Sequence, residues 1–209
     1  MHRIGLSLLL LAVAACAQMV QPPPPPPPAD LVAGAAEPTR AAIMAAASAF
    51  ADRGEHLAGR PAAAAQAAAQ LEFVVADLSR NPRWAMMPDS IRLELVLARN
   101  ELRDALGVAE AAEPDAVIEA LLRAARALRA GDHRGAAAAL PAPVFRPGGA
   151  RSVARLGELG PLPQVANATS LAAQTVEELD IGGGLSSTQS PERSGGIGNI
   201  TIPAAPAGY

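Results

Sequence analysis

Apolar residues recur three and four apart through the middle of the chain, the spacing that lines one face of an α-helix, and no run alternates as a half-buried strand would. The pattern predicts an all-α fold, a small alanine-rich set of helical hairpins or a bundle. A first helix is expected from about Thr39 to Ala58, with Ile43, Ala47, Phe50, Gly54 and Leu57 inward and Pro38 at its start. Gly59-Arg60-Pro61 breaks it. A second helix, Pro61 to about Ser79, carries Ala67, Leu71, Val74, Val75 and Leu78 and is stopped by Asn81-Pro82. The third starts with Asp89 as N-cap and presents Ile91, Leu95, Ala98, Leu102 and Ala105, with Arg92, Arg99 and Arg103 opposite, until Gly107. The fourth runs from Pro114 to a Gly131 cap with Val117, Leu121, Leu122, Ala125 and Leu128 inward, and Glu119 and Arg123 pair one turn apart. A short fifth helix fits Asp132 to Leu140. Short connections make successive helices lie antiparallel.

Composition tempers this picture. The aromatics are Phe50, Phe73, Trp84, Phe145 and Tyr209, so the core is built from Leu, Val, Ile and above all Ala, which bury little area each. After Phe145 the chain turns to Gly, Pro, Arg and Ser. That region is expected to be extended, with one helix over Asn167 to Leu179, and the glycine-rich end beyond Asp180 lacks the apolar side chains that offset chain entropy. Pro22 to Pro28 is an unbroken proline run that adopts polyproline II, either a stiff spacer or a ligand for a proline-binding groove.

The start of the chain is the most specific segment. His2 and Arg3 supply positive charge, Ile4 to Val13 is an apolar run, and Val13-Ala14-Ala15-Cys16 follows. This resembles the bacterial lipoprotein signal peptide and its lipobox. The resemblance implies cleavage before Cys16, covalent diacylglycerol and fatty acyl lipid on that thiol, and a protein anchored in the bacterial cell envelope facing the periplasm; beyond that lipid no cofactor is expected. Ala17 in place of an aspartate leans toward the outer membrane over the inner. An uncleaved membrane helix over Ile4 to Val20 and an ordinary secretory signal are the alternatives. The expectations divide the chain into a signal peptide (1–15), a lipidated N-terminus and Pro-rich tether (16–37), a helical domain (38–145), an extended segment with one helix (146–180) and a disordered tail (181–209).

Leu128, Gly131, Asp132, Ala136, Ala139, Leu140 and Pro141 resemble the turn and second helix of a tetratricopeptide hairpin. The likeness is confined to this stretch, and the aromatic signature of that family's first helix is missing. What it implies is a protein-binding helical scaffold.

Few residues offer chemistry. Lysine is absent, which removes Schiff-base and lysine-base catalysis, and a formal charge of −3 gives nucleic acid no electrostatic footing. His2, His56 and His133 make no paired-histidine metal motif, no Gly-x-Ser-x-Gly elbow occurs, and Gly182-Gly183-Gly184 lacks the context of a phosphate loop. No catalytic or metal-ligating residue is assigned. Two stretches are candidate binding surfaces. Arg123, Arg126 and Arg129 recur every third residue, to meet lipid phosphates or an acidic partner, or simply to complement a helix dipole. Arg83, Trp84, Met86 and Met87 form a cluster that serves either as a contact surface or as a plug for the bundle end. The reading is a non-catalytic interaction module or structural adaptor with an envelope protein partner. The competing reading is an envelope enzyme or a cell-wall-glycan-binding accessory. A cleft with converging carboxylates such as Glu94 and Glu101 would favour the second, and a groove lined by Ala, Leu and Arg the first.

Overall fold

Residues 26–183 are described by the computed structural model, and they hold seven α-helices: α1 (Pro38–Phe50), α2 (Pro61–Arg80), α3 (Asp89–Leu106), α4 (Pro114–Arg129), α5 (His133–Ala139), α6 (Gly149–Gly157) and α7 (Pro163–Ile181). Among the described residues the fold is all-α, and the only β-type pairing is an isolated antiparallel bridge between Val108 and Phe145. Cys16, the proline run before Pro26 and the predicted tail beyond Gly183 lie outside the described residues. Prolines open α1, α2, α4 and α7, where the missing amide is one the helix leaves unpaired anyway. α5 is capped by Asp132, whose Oδ1 accepts from the Gly135 amide at 2.8 Å. Asp89 is the first helical residue of α3 rather than its cap, and its side chain acts on the helix dipole from the first turn.

The centre of the molecule is α2. It packs on α1, α3, α4 and α6, and it is buried nearly all round, from Ala64 to Leu78 with only Gln66 partly exposed. Such a helix has no solvent face to keep polar. Its alanines let neighbours approach on every side. α1, α2, α3 and α7 close one ring of packed helices, and α2, α4, α5 and α6 close a second. α2 is the wall common to both.

Three expectations are corrected by this arrangement. The first helix stops at Phe50 rather than reaching Ala58. Arg53 and Gly54 take left-handed backbone conformations, φ 62° and 82°, and Asp52 accepts the amides of Gly54 (3.0 Å) and His56 (2.8 Å), a local turn that competes with helix. The segment after Phe145 is not mainly extended. It contains α6 as well as α7, and α7 begins at Pro163, runs to Ile181 and packs on both α1 and α3. Arg40 and Asp180 join α1 to α7 at 2.5 Å.

The third correction concerns α3. At about 100° per residue, Arg92, Arg99 and Arg103 fall on the flank of the face centred on Leu95, and the side opposite that face carries Leu93 and Leu97. Arg103 is buried, whereas Leu93 and Leu97 are 59% and 46% exposed.

The domain also begins earlier than residue 38. Leu31 is fully buried, its amide donates to Pro28 O at 3.0 Å, and its carbonyl accepts from Gln66 Nε2 (2.8 Å) and Gln70 Nε2 (3.0 Å). Two side chains of α2 thus fasten the end of the proline run to the bundle.

Candidate functional site

The predicted surface residues are distributed differently from the expectation. Trp84 and Met87 are each 2% exposed and plug the end of the bundle, so they offer no contact surface. Met86 between them is exposed, and Arg83 is held by Glu37 at 2.9 Å. The loop is clamped from α3. Arg92 donates to the carbonyl oxygens of Leu78 and Trp84 and, at 3.1 Å, to that of Met87. Among the three arginines of α4, Arg123 pairs with Glu119 (3.2 Å), Arg126 with Asp30, and Arg129 donates to Gln66 Oε1 at 2.6 Å. They are not one free cationic row. Arg126 and Arg129 take part in the polar network that docks Asp30 and Leu31. Cys16 lies outside the described residues.

A groove of about 590 Å³ lies over α2, α4 and the turn at 55–57. Leu57, Ala63, Ala67 and Leu128 form its apolar lining, and Arg60 and Arg129 stand on its exposed rim. His56 and His133 complete the rim, and no Asp or Glu is among the described residues that line it. His56 is steadied by Asp52, Nδ1 to Oδ1 at 2.9 Å. Desolvation acts to raise the Asp52 pKa, but the hydrogen bonds from the His56 ring and amide, the His56 charge and the Gly54 amide outweigh it and hold the carboxyl below its ordinary value. Glu55 is taken by Arg53 at 3.1 Å.

No protein-family model, curated protein or solved structure matches the chain.

Glu94 and Glu101 do not converge on a cleft. Glu101 Oε2 accepts the Val165 amide at 2.9 Å and Glu94 Oε2 accepts from Gln164 Nε2 at 2.6 Å, so both carboxylates serve the first turn of α7. Negative charge is stabilising at that end of a helix, where amides lack partners. Among the described residues, no three His, Cys, Asp or Glu side chains lie where they could hold a metal ion, and no helix is long and apolar enough to cross a membrane.

Sequence reasoning missed a buried ion pair beside α3. Arg103 Nε and Nη2 meet Glu72 Oε1 and Oε2 at 2.6 and 2.8 Å, and Arg103 Nη1 donates to Ala112 O at 3.1 Å. Glu72 is 2% exposed and Arg103 7%. The available signal was a glutamate inside the apolar stretch of α2. A second buried polar contact, Thr39 Oγ1 to Asp77 Oδ2 at 2.7 Å, ties α1 to α2.

Proposed function

We propose that this chain is a lipid-anchored envelope protein whose helical domain is a non-catalytic interaction module, with an acidic segment of an envelope protein laid in the groove beside α2. The observation that carries the reading is the lining of the groove: alanine and leucine at the bottom, arginine and histidine on the rim, and no acidic side chain. An apolar floor with a cationic edge complements an amphipathic acidic segment, which would bury its apolar side chains and meet the guanidinium groups with its carboxylates. The structural use of Glu94 and Glu101 as helix-terminal acceptors favours this reading over a glycan-cleaving or glycan-binding cleft. The anchor rests on the Val13-Ala14-Ala15-Cys16 motif. Two or three acyl chains hold a protein at a bilayer durably where one does not.

The test is a photo-crosslinking residue at position 63, inside the groove, used in cells. A reproducible envelope neighbour is expected, with its yield falling about tenfold when Arg60 and Arg129 are both changed to Glu. No neighbour, or one indifferent to the charge reversal, would overturn the groove as the contact surface. Separately, Cys16→Ser is expected to abolish fatty-acid labelling and release the protein from membranes. Membrane retention of that variant would overturn the anchor.

A further inference from the structure

A second cleft, which the proposed function does not use, lies over the C-terminal half of α3. Arg99 and Arg103, one turn apart, lie on the buried flank of the helix, and Asp104 borders the cleft from the helix's exposed side. Two irregular segments close over them. The bridge between Val108 and Phe145 is extended by Ala109 N donating to Val144 O (2.8 Å) and Arg146 N donating to Gly107 O (2.7 Å). This short ladder brings Glu110 and Arg146 to the mouth of a space of about 470 Å³, within the roughly 300–1,000 Å³ common for small-molecule sites.

Its charges are unevenly satisfied. Arg103 is fully engaged with Glu72 and the loop carbonyls. Arg99, one turn earlier, has a buried Nε without an acceptor, and its side chain forms no ion pair or hydrogen bond with any described residue. Desolvation, with the neighbouring Arg103 adding to it, pulls the Arg99 pKa down against the opposing pull of Glu72. Arg146, Asp104 and Glu110 are exposed, and their side chains pair with no described residue. Arg99, Arg103 and Arg146 are balanced in number by Glu72, Asp104 and Glu110, so the lining and its floor carry no net charge. Two cations and two anions remain available.

A simple anion in this space would face Asp104 and Glu110, and a simple cation would face Arg99 and Arg146. A molecule bearing a carboxylate and an ammonium answers both sets. We propose that the cleft binds a small amphoteric ligand, a free amino acid or a short peptide with both termini free, its carboxylate on Arg99 and Arg146 and its ammonium on Asp104 and Glu110. The planar guanidinium fork suits a carboxylate, and the half-buried setting of Arg99 makes a charge-assisted hydrogen bond there stronger than one in open water.

The test uses the full chain, isotope-labelled, with alanyl-alanine as probe and backbone amide shifts as readout. Saturable shifts are expected at residues 99–110 and 144–146. N-acetyl-alanyl-alanine, which lacks the ammonium, and alanyl-alanine amide, which lacks the carboxylate, are each expected to bind about tenfold more weakly. Arg99→Gln, and independently Arg146→Gln on the exposed loop, are expected to weaken alanyl-alanine about tenfold while leaving the amide form unchanged. Absence of saturable shifts, equal response to the blocked peptides, or an equal response to sulfate alone would overturn the proposal. None of these outcomes bears on crosslinking in the groove, so the two proposals stand or fall separately.

Discussion

The groove beside α2 and the cleft over α3 differ less in size than in where their charges sit. In the groove the cations are on an exposed rim above methyl groups, with water on their outer side. In the cleft a buried ion pair is the floor, and the remaining charges stand round it with both signs represented. Rim charges are screened by salt within about 10 Å at moderate ionic strength, so they steer and orient an extended partner more than they hold it. Charges over a dry floor are screened less and can discriminate between small molecules. On the two proposals above, one scaffold would offer two kinds of recognition, distinguished by the burial of Arg99 and Arg103 against the exposed Arg60 and Arg129.

The comparison can be broken first at the floor of the cleft. Glu72→Gln would leave Arg103 buried without its counter-charge, and a loss of about 3–5 kcal/mol is expected in urea unfolding. A loss below about 1 kcal/mol would mean that the pair is solvated and that the cleft has no dry floor. Changing Glu72 and Arg103 together to Met should recover much of the loss while leaving the cleft uncharged underneath. The groove is broken from behind. Leu31→Ala removes the fully buried side chain of the docked N-terminal segment, and about 2–5 kcal/mol is expected in the same assay. A neutral result would show that residues before 38 are only a spacer. The mildest change is Asp132→Ala, which removes the cap of α5 beside His133. About 1 kcal/mol is expected, with amide exchange rising along α5 before it does along α3.

Much of the fold could be read from the residues. α2 and α4 were predicted to within a residue or two at each end because Pro61 and Pro114 open them, while Asn81-Pro82 and Gly131 mark their ends. What escaped was structure that depends on distant partners or on locally ambiguous chemistry. Ala51 to Leu57 continues the helical apolar spacing, yet Asp52 redirects the backbone through its own hydrogen bonds. α6 is short, opens on Gly148-Gly149 and buries only Ser152 and Leu156, so the breakers round it mask its amphipathic spacing. The site residues show the same divide. Trp84 reads as a plug or as a contact surface, the plug being favoured, until its burial and the Arg92 bond to its carbonyl are seen. Arg126 reads as a free cation until Asp30, far off in sequence, arrives beside it. The burial of Trp84 and the pairing of Arg126 are thus set by neighbours that no local window contains.

The sharing of α2 between the two helix rings sets limits on how such a molecule can vary. A methyl group added at Ala64, Ala65 or Ala68 has no vacant side to turn toward, because each faces a neighbour at essentially zero exposure. Extra bulk displaces whichever partner is softer, and that displacement is felt on the far side of the helix as well. Drift toward a new ligand in either hollow must then be carried by the outlying helices and loops, with the central rod held as the fixed datum from which both are measured.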